Sequence, residues 1–178
     1  MLDLAYRLGW FQCLFADGKP QAIEVEYGGD LGVTDMYPVT AAVLQGFLAP
    51  VVESVNEVSA PSLLKHHGIR YAETHSPQSS DYAFTIALKV TTDKESHRVS
   101  GTLFGPSKSP RIVTIDHTRV DVRPEGCILV CLNDDKPLII GRIAMIIGEE
   151  GVNIADMTLG RDARGGRAAT VLNLDGPL

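Results

Sequence analysis

Between residues 69 and 122 the hydrophobic period of the chain is two, and this alternation narrows the fold more than any other feature of the sequence. Strands are expected over 69–74, 82–92, 97–104, 111–116 and 119–122, the second and third joined by the tight turn Asp93-Lys94-Glu95-Ser96. Strands that follow one another so closely pair most simply as an antiparallel sheet. Before them the period is helical: Leu4, Leu8, Phe11 and Phe15 recur on one face and Asp17-Gly18 stops the run, so 2–15 reads as an amphipathic helix. Residues 21–27 alternate apolar and acidic side chains ahead of Gly28-Gly29, as a half-exposed strand does. A helix is expected over 40–48, entered after Pro38, and another that Ser59 caps, Pro61 opens and Gly68 ends.

A second unit begins after Arg123-Pro124-Glu125-Gly126. It reads as an apolar strand over 127–132, a polar turn Asn133-Asp134-Asp135-Lys136, and a helix from Pro137 to about residue 149 closed by Gly151. A strand over 153–159, the turn Arg164-Gly165-Gly166 and a strand over 167–174 complete a β-α-β-β order. The expected class is α+β, with an antiparallel-sheet domain and packed helices over 1–123 followed tightly by a ferredoxin-like βαββ unit over 124–178.

Charge and motifs remove several function classes. The net charge of −6 would repel a polyphosphate duplex, which makes nucleic acid a poor partner. No run of about 18 apolar residues occurs, and Asp3 stands where a signal peptide carries positive charge, so a cytoplasmic protein without a membrane partner is expected. Cys13, Cys127 and Cys131 form no CxxC pair and are expected as buried thiols, the last two on one strand face. The histidines (His66, His67, His75, His97 and His117) lack a zinc spacing, so no metal is assigned.

GxGxxG, GxSxG, Walker and HExxH patterns are all missing from the sequence, so no cofactor and no catalytic residue is assigned to this chain. Glu73-Thr74-His75-Ser76 and Ser79-Ser80-Asp81 bring Ser, His and Asp close in sequence, but their polarity is that of a surface loop. Two constellations can bind something. Arg111, Arg119 and Arg123, with Lys108 nearby, can grip a small carboxylate or phosphate through their planar guanidinium forks, or can line a solvated strand face. The turn from Asn133 to Pro137 precedes free helix N–H groups, with Asp135 able to accept from an ammonium and Asn153 able to donate and accept. That set suits a free amino acid, or ordinary capping and turn chemistry.

Longer stretches carry a family resemblance. Gly101-Thr102-Leu103-Phe104-Gly105, Pro110-Arg111-Ile112-Val113-Thr114-Ile115-Asp116 and Val120-Asp121-Val122-Arg123-Pro124-Glu125-Gly126 resemble the C-terminal region of long-form D-3-phosphoglycerate dehydrogenases. Asp135-Lys136-Pro137, Ile140-Gly141-Arg142-Ile143, 148–155 and Leu159-Gly160-Arg161 are similar to their amino-acid-sensing ACT domain. Upstream, Val25-Glu26-Tyr27-Gly28-Gly29, Pro38-Val39-Thr40-Ala41-Ala42 and Val55-Asn56 resemble the intervening, allosteric-substrate-binding domain.

The resemblance implies a regulatory portion without catalysis of its own, from the NAD-dependent oxidoreductase that opens the phosphorylated pathway of serine biosynthesis. NAD would belong to a catalytic portion outside this chain. It implies L-serine held at Asn133, Asp135, Leu138, Ile139 and Asn153, and a small phosphorylated or carboxylate anion held at Arg111, Arg119 and Arg123. It implies a homo-oligomer, dimer or tetramer, with serine bound between subunits. Where the family usually has glycine after the proline of the turn, this chain has Leu138, and after the third strand the last ACT helix and strand are expected to be missing. Two alternatives are a regulatory fragment of an iron–sulfur L-serine dehydratase, whose cluster cysteines and SSHT-type motif are not found, and a free-standing amino-acid-binding module acting in trans.

Overall fold

A computed structural model describes residues 1–29, 35–76 and 81–178, so Ser79 and Ser80 lie outside the described residues. The chain divides into two compact units, Met1–Ile112 and Val113–Leu178.

The first unit holds helices α1 (Leu2–Phe15), α2 (Tyr37–Leu48) and α3 (Ala60–His66), and strands β1 (Pro20–Gly29), β2 (Arg70–Ser76), β3 (Phe84–Thr92) and β4 (Ser96–Phe104); β5 (Ser109–Ile115) runs across the division. The order of its four complete strands is β2-β1-β3-β4. Val25 stands opposite Leu88, and Leu88 opposite Val99, and all three are fully buried. The alternate positions face water and pair charges across strands, Glu24 with Lys89 at 3.0 Å and Glu26 with Arg98 at 2.6 Å. Exposed pairs of this kind contribute well under about 1 kcal/mol each, so the buried row decides the register.

β3 and β4 are antiparallel as expected, but β2 runs parallel to β1. The expected antiparallel sheet holds for β1, β3 and β4, and β2 is its one parallel addition among the described pairings. The reason is the connection: α2 and α3 lie between β1 and β2, and a crossover through helices returns the chain in the same direction. Tyr27 on β1 reaches α2 through a 2.6 Å hydrogen bond between its hydroxyl and that of Thr40, and burial pushes the phenol up to about 12. α2 starts at Tyr37, three residues before the expected start, because Pro38 fits within the first turn and the N–H groups of Val39 and Thr40 both donate to Met36 O. Ser59 stands at the N-cap of α3 but its hydroxyl serves Asn56 instead.

Helices α1 and α2 touch backbone to backbone. A Cβ on Gly9 would strike the carbonyl oxygen of Val43, and one on Gly46 the carbonyl oxygen of Tyr6. Leu4, Leu8 and Phe11 of α1 and most of α2 are buried, Leu4 and Leu8 lying against Gly101 of β4.

The second unit holds β6 (Thr118–Val122), β7 (Cys127–Asp134), α4 (Ile139–Glu149), β8 (Ile154–Arg161) and β9 (Arg167–Leu174). Its sheet has the order β7-β9-β8 with both pairings antiparallel, the first three strands of a ferredoxin-like βαββ arrangement. Ile147 of α4 packs on Leu172 and Leu174, with Cys127, Leu129, Ile143, Val152 and Ile154 around them. β6 is held to β8: Thr158 Oγ1 donates to Asp121 O at 2.7 Å, and Gly160 lies against the Arg119 carbonyl. The division falls at Ile112/Val113, so β6, which follows β5 in the sheet order, and the Pro-Gly stretch at 124–126 both lie in the second unit.

Three further expectations are adjusted. Asn133 and Asp134 end β7 and do not belong to a turn, since Asp134 pairs with Arg167 in the ladder. α4 opens at Ile139 with Leu138 as its N-cap, two residues past Pro137. The three cysteines are half-buried, not fully so, and β7, which carries two of them, is an outer strand of its sheet. Partial burial still pushes the Cys13 and Cys131 thiols up.

On the central strand β9, Thr170 is fully buried and its hydroxyl has no hydrogen-bond partner among the described residues. Thr170→Val should therefore raise unfolding stability by about 1 kcal/mol, by removing a desolvated hydroxyl at nearly constant shape. A chemical-denaturation midpoint that falls would contradict this.

Candidate functional site

The turn between β7 and α4 is built by its backbone. Asp135 N–H donates to Gly166 O at 2.8 Å, which ties the turn to the β8–β9 hairpin. The Asp135 carboxylate then takes two donors on one oxygen: Gly165 N–H at 3.0 Å and Arg161 Nη1 at 2.7 Å. Those donors, the backbone N–H first and the guanidinium second, hold its carboxyl below the usual carboxylate range. Its other oxygen, Oδ1, has no partner among the described residues, and that is the atom an ammonium would use.

Asn133 Nδ2 donates to Asp134 O at 2.7 Å, while its Oδ1 is buried without a partner among the described residues. Leu138 has φ of +72° and Ile139 follows as the first helical residue. A left-handed backbone costs a residue with a Cβ about 1–2 kcal/mol, and the Leu138 side chain is 73% exposed, so it recovers little by packing. Leu138→Gly is expected to raise unfolding stability by about 0.5–1 kcal/mol, the relief exceeding the entropy that glycine adds to the unfolded chain. The same change to alanine should give no gain, and equal midpoints for the two variants in a urea titration would refute the strain.

Asn153 lies elsewhere. Its Nδ2 donates to Asp175 Oδ2 at 2.9 Å and its carbonyl accepts from Asp175 N–H, just beyond the end of β9. Asp135 sits beside Gly165 and Gly166, just ahead of that strand's start. At about 3.3 Å per residue the intervening strand separates the two by roughly 25–30 Å. One chain therefore brings Asn133, Asp135, Leu138 and Ile139 together and leaves Asn153 at the opposite end of the sheet.

The arginines lie on two successive strands, β5 and β6 with its continuation. Arg111, on β5 in the first unit, has Nη1 donating to Ser109 Oγ at 3.0 Å and to Pro110 O at 3.2 Å, with its guanidinium 6.0 Å from the Phe104 ring centre. Arg119 and Arg123 belong to the second unit, exposed on the alternate positions of β6 and its continuation, with the carboxylate of Asp121 on the same side between them. Among the described residues no three His, Cys, Asp or Glu side chains gather as a metal centre would need, and no helix is long and apolar enough to cross a membrane.

Sequence reasoning assigned no role to Arg161 or Asp175, which engage Asp135 and Asn153. The pairs are 26 and 22 residues apart, and no local pattern links them. A register for β8 and β9 would have found both.

Residues 1–116 match the family model described as the D-3-phosphoglycerate dehydrogenase intervening domain. Among curated relatives, the D-3-phosphoglycerate dehydrogenase of Bacillus subtilis is 36% identical over 87% of this chain and 30% of its own length. That of Synechocystis is 35% identical over 99% and 32%, and that of Methanocaldococcus jannaschii 31% over 97% and 32%. The chain thus spans about a third of the relatives it matches.

Proposed function

Since this chain belongs to the D-3-phosphoglycerate dehydrogenase intervening-domain family, we propose that it is a regulatory portion of such an enzyme in serine biosynthesis, sensing L-serine and a small phosphorylated or carboxylate anion. The observation that carries this reading is the family match over 1–116, continued by relatives aligned through the second unit. Oxidation of the phosphoglycerate with NAD belongs to a portion of the parent protein outside this chain.

In this reading the second unit holds serine. The unpartnered oxygens of Asp135 and Asn133 accept from its ammonium, and the free N–H groups at the start of α4 meet its carboxylate. Asn153 completes the site from a second copy, because its own chain holds it at the far end of the sheet. Exposed Leu132, Met145, Ile146, Met157 and Leu159 give that unit the apolar surface a self-associating module needs. Arg123, with Arg119, attracts the anion.

Calorimetric titration tests each part. L-Serine should bind, and Asp135→Ala or Asn153→Ala should weaken it by about 1.5–3 kcal/mol, roughly ten- to a hundredfold. Arg123→Ala should weaken phosphate or 3-phosphoglycerate by a similar factor. Absence of serine binding removes the sensor role, and unchanged anion affinity in Arg123→Ala removes the anion site.

A further inference from the structure

We propose that a pocket in the first unit binds a monocarboxylate with a hydrocarbon body, of the medium-chain fatty-acid class, its carboxylate held by Lys19 and His67. The pocket has a volume of about 360 Å³, within the span of roughly 300–1,000 Å³ where small-molecule sites fall. Its apolar wall includes Pro20, Phe47, Leu48, Val52 and Ile69. Such a wall favours a ligand body that water solvates poorly.

The polar members of the lining choose the head group. They are Cys13, Lys19 and His67, and among the described residues no Asp or Glu lines the pocket although the chain carries a net charge of −6. Burial pushes the Cys13 thiol up, so it stays neutral. Lys19 uses its backbone N–H on Asp93 Oδ1 at 2.7 Å, but its ammonium has no partner among the described residues. Of the nearby acids, Asp93 takes the Lys19 backbone N–H, Asp17 pairs with Lys94 at 2.8 Å and Glu95 with His97 at 3.0 Å. Among the described residues the His67 ring makes an edge contact with His66, at 5.6 Å between centres, and its backbone N–H donates to Leu63 O. Two basic groups without acid partners at an apolar cavity select an amphipathic acid over a neutral hydrocarbon or a cation.

Cys13 reports occupancy of its own pocket, and it lies on a different tryptic peptide from Cys127 and Cys131. The full 178-residue chain is alkylated with iodoacetamide in the presence of sodium octanoate or 1-octanol, and each cysteine is followed by mass spectrometry. Octanoate should slow Cys13 alkylation several-fold, at lower concentration than octanol, with Cys127 and Cys131 unaffected. Lys19→Gln should raise the half-protecting concentration of octanoate about tenfold, the loss of one charge-assisted contact, and leave that of octanol unchanged. Failure of octanoate to protect Cys13 overturns the proposal. So does equal protection by octanol and octanoate, which would mark an apolar cavity without acid preference, or an undiminished effect in Lys19→Gln.

Discussion

Gly46→Ala should lower the unfolding free energy of the first unit by about 3 kcal/mol, at the upper end of what overpacking costs. The added methyl group would meet the carbonyl oxygen of Tyr6, a backbone atom within α1. That carbonyl cannot turn aside without breaking the helical ladder, so relief comes only from moving α1 and α2 apart. Separation disturbs the close packing around two helices whose Leu4, Leu8 and Phe11, and Val43 and Phe47, are buried. Gly9→Ala should behave alike, since its methyl meets Val43 O. Gly141→Ala supplies the control: nothing lies within 4 Å of its Cβ position, and alanine in a helix should gain up to about 1 kcal/mol. Urea midpoints for the three variants decide the matter, and a Gly46→Ala protein within about 0.5 kcal/mol of the parent would refute the close crossing.

Ile147→Ala should be the most damaging single change in the second unit. Ile147 is 1% exposed, and Leu172 and Leu174 share the buried centre beneath α4. Removing its side chain costs about 3–4 kcal/mol in transfer and cavity terms, a large part of what a unit this small can hold. Amide exchange of β7, β8 and β9 should accelerate by about two orders of magnitude or more, while that of β1, β3 and β4 stays slow. Protection of β9 at the parent's level would show that α4 contributes little to that sheet.

These two positions illustrate what was readable in advance. Leu4, Leu8 and Phe11 announce α1 because helical spacing and burial coincide there, and the same holds for the alternation of β3 and β4. Gly9 and Gly46 look like local weaknesses in two helical patterns until the helices are packed. The direction of β2 was not readable, since alternation is the same for parallel and antiparallel neighbours. The Pro-Gly stretch says nothing of the company β6 keeps: it follows β5 in the sheet order and also touches Thr158 and Gly160, some forty residues on. At the candidate site, Asp135 was found from turn chemistry, but its engagement by Arg161 and Gly165 follows from strand register. The separation of Asp135 from Asn153 has the same origin: both flank α4 in sequence, yet they lie at opposite ends of β9 in space.

That separation has a thermodynamic corollary. A ligand that must touch both residues cannot saturate a single copy, so its binding free energy includes whatever it costs to bring two copies together. Its apparent affinity then rises with protein concentration until association is complete, and by linkage the ligand tightens the association by the same factor that association tightens the ligand. With the proposed two-copy site, a solution of such chains would respond to the product of two concentrations, effector and protein. Dilution alone would desensitise it, with every residue of the site intact.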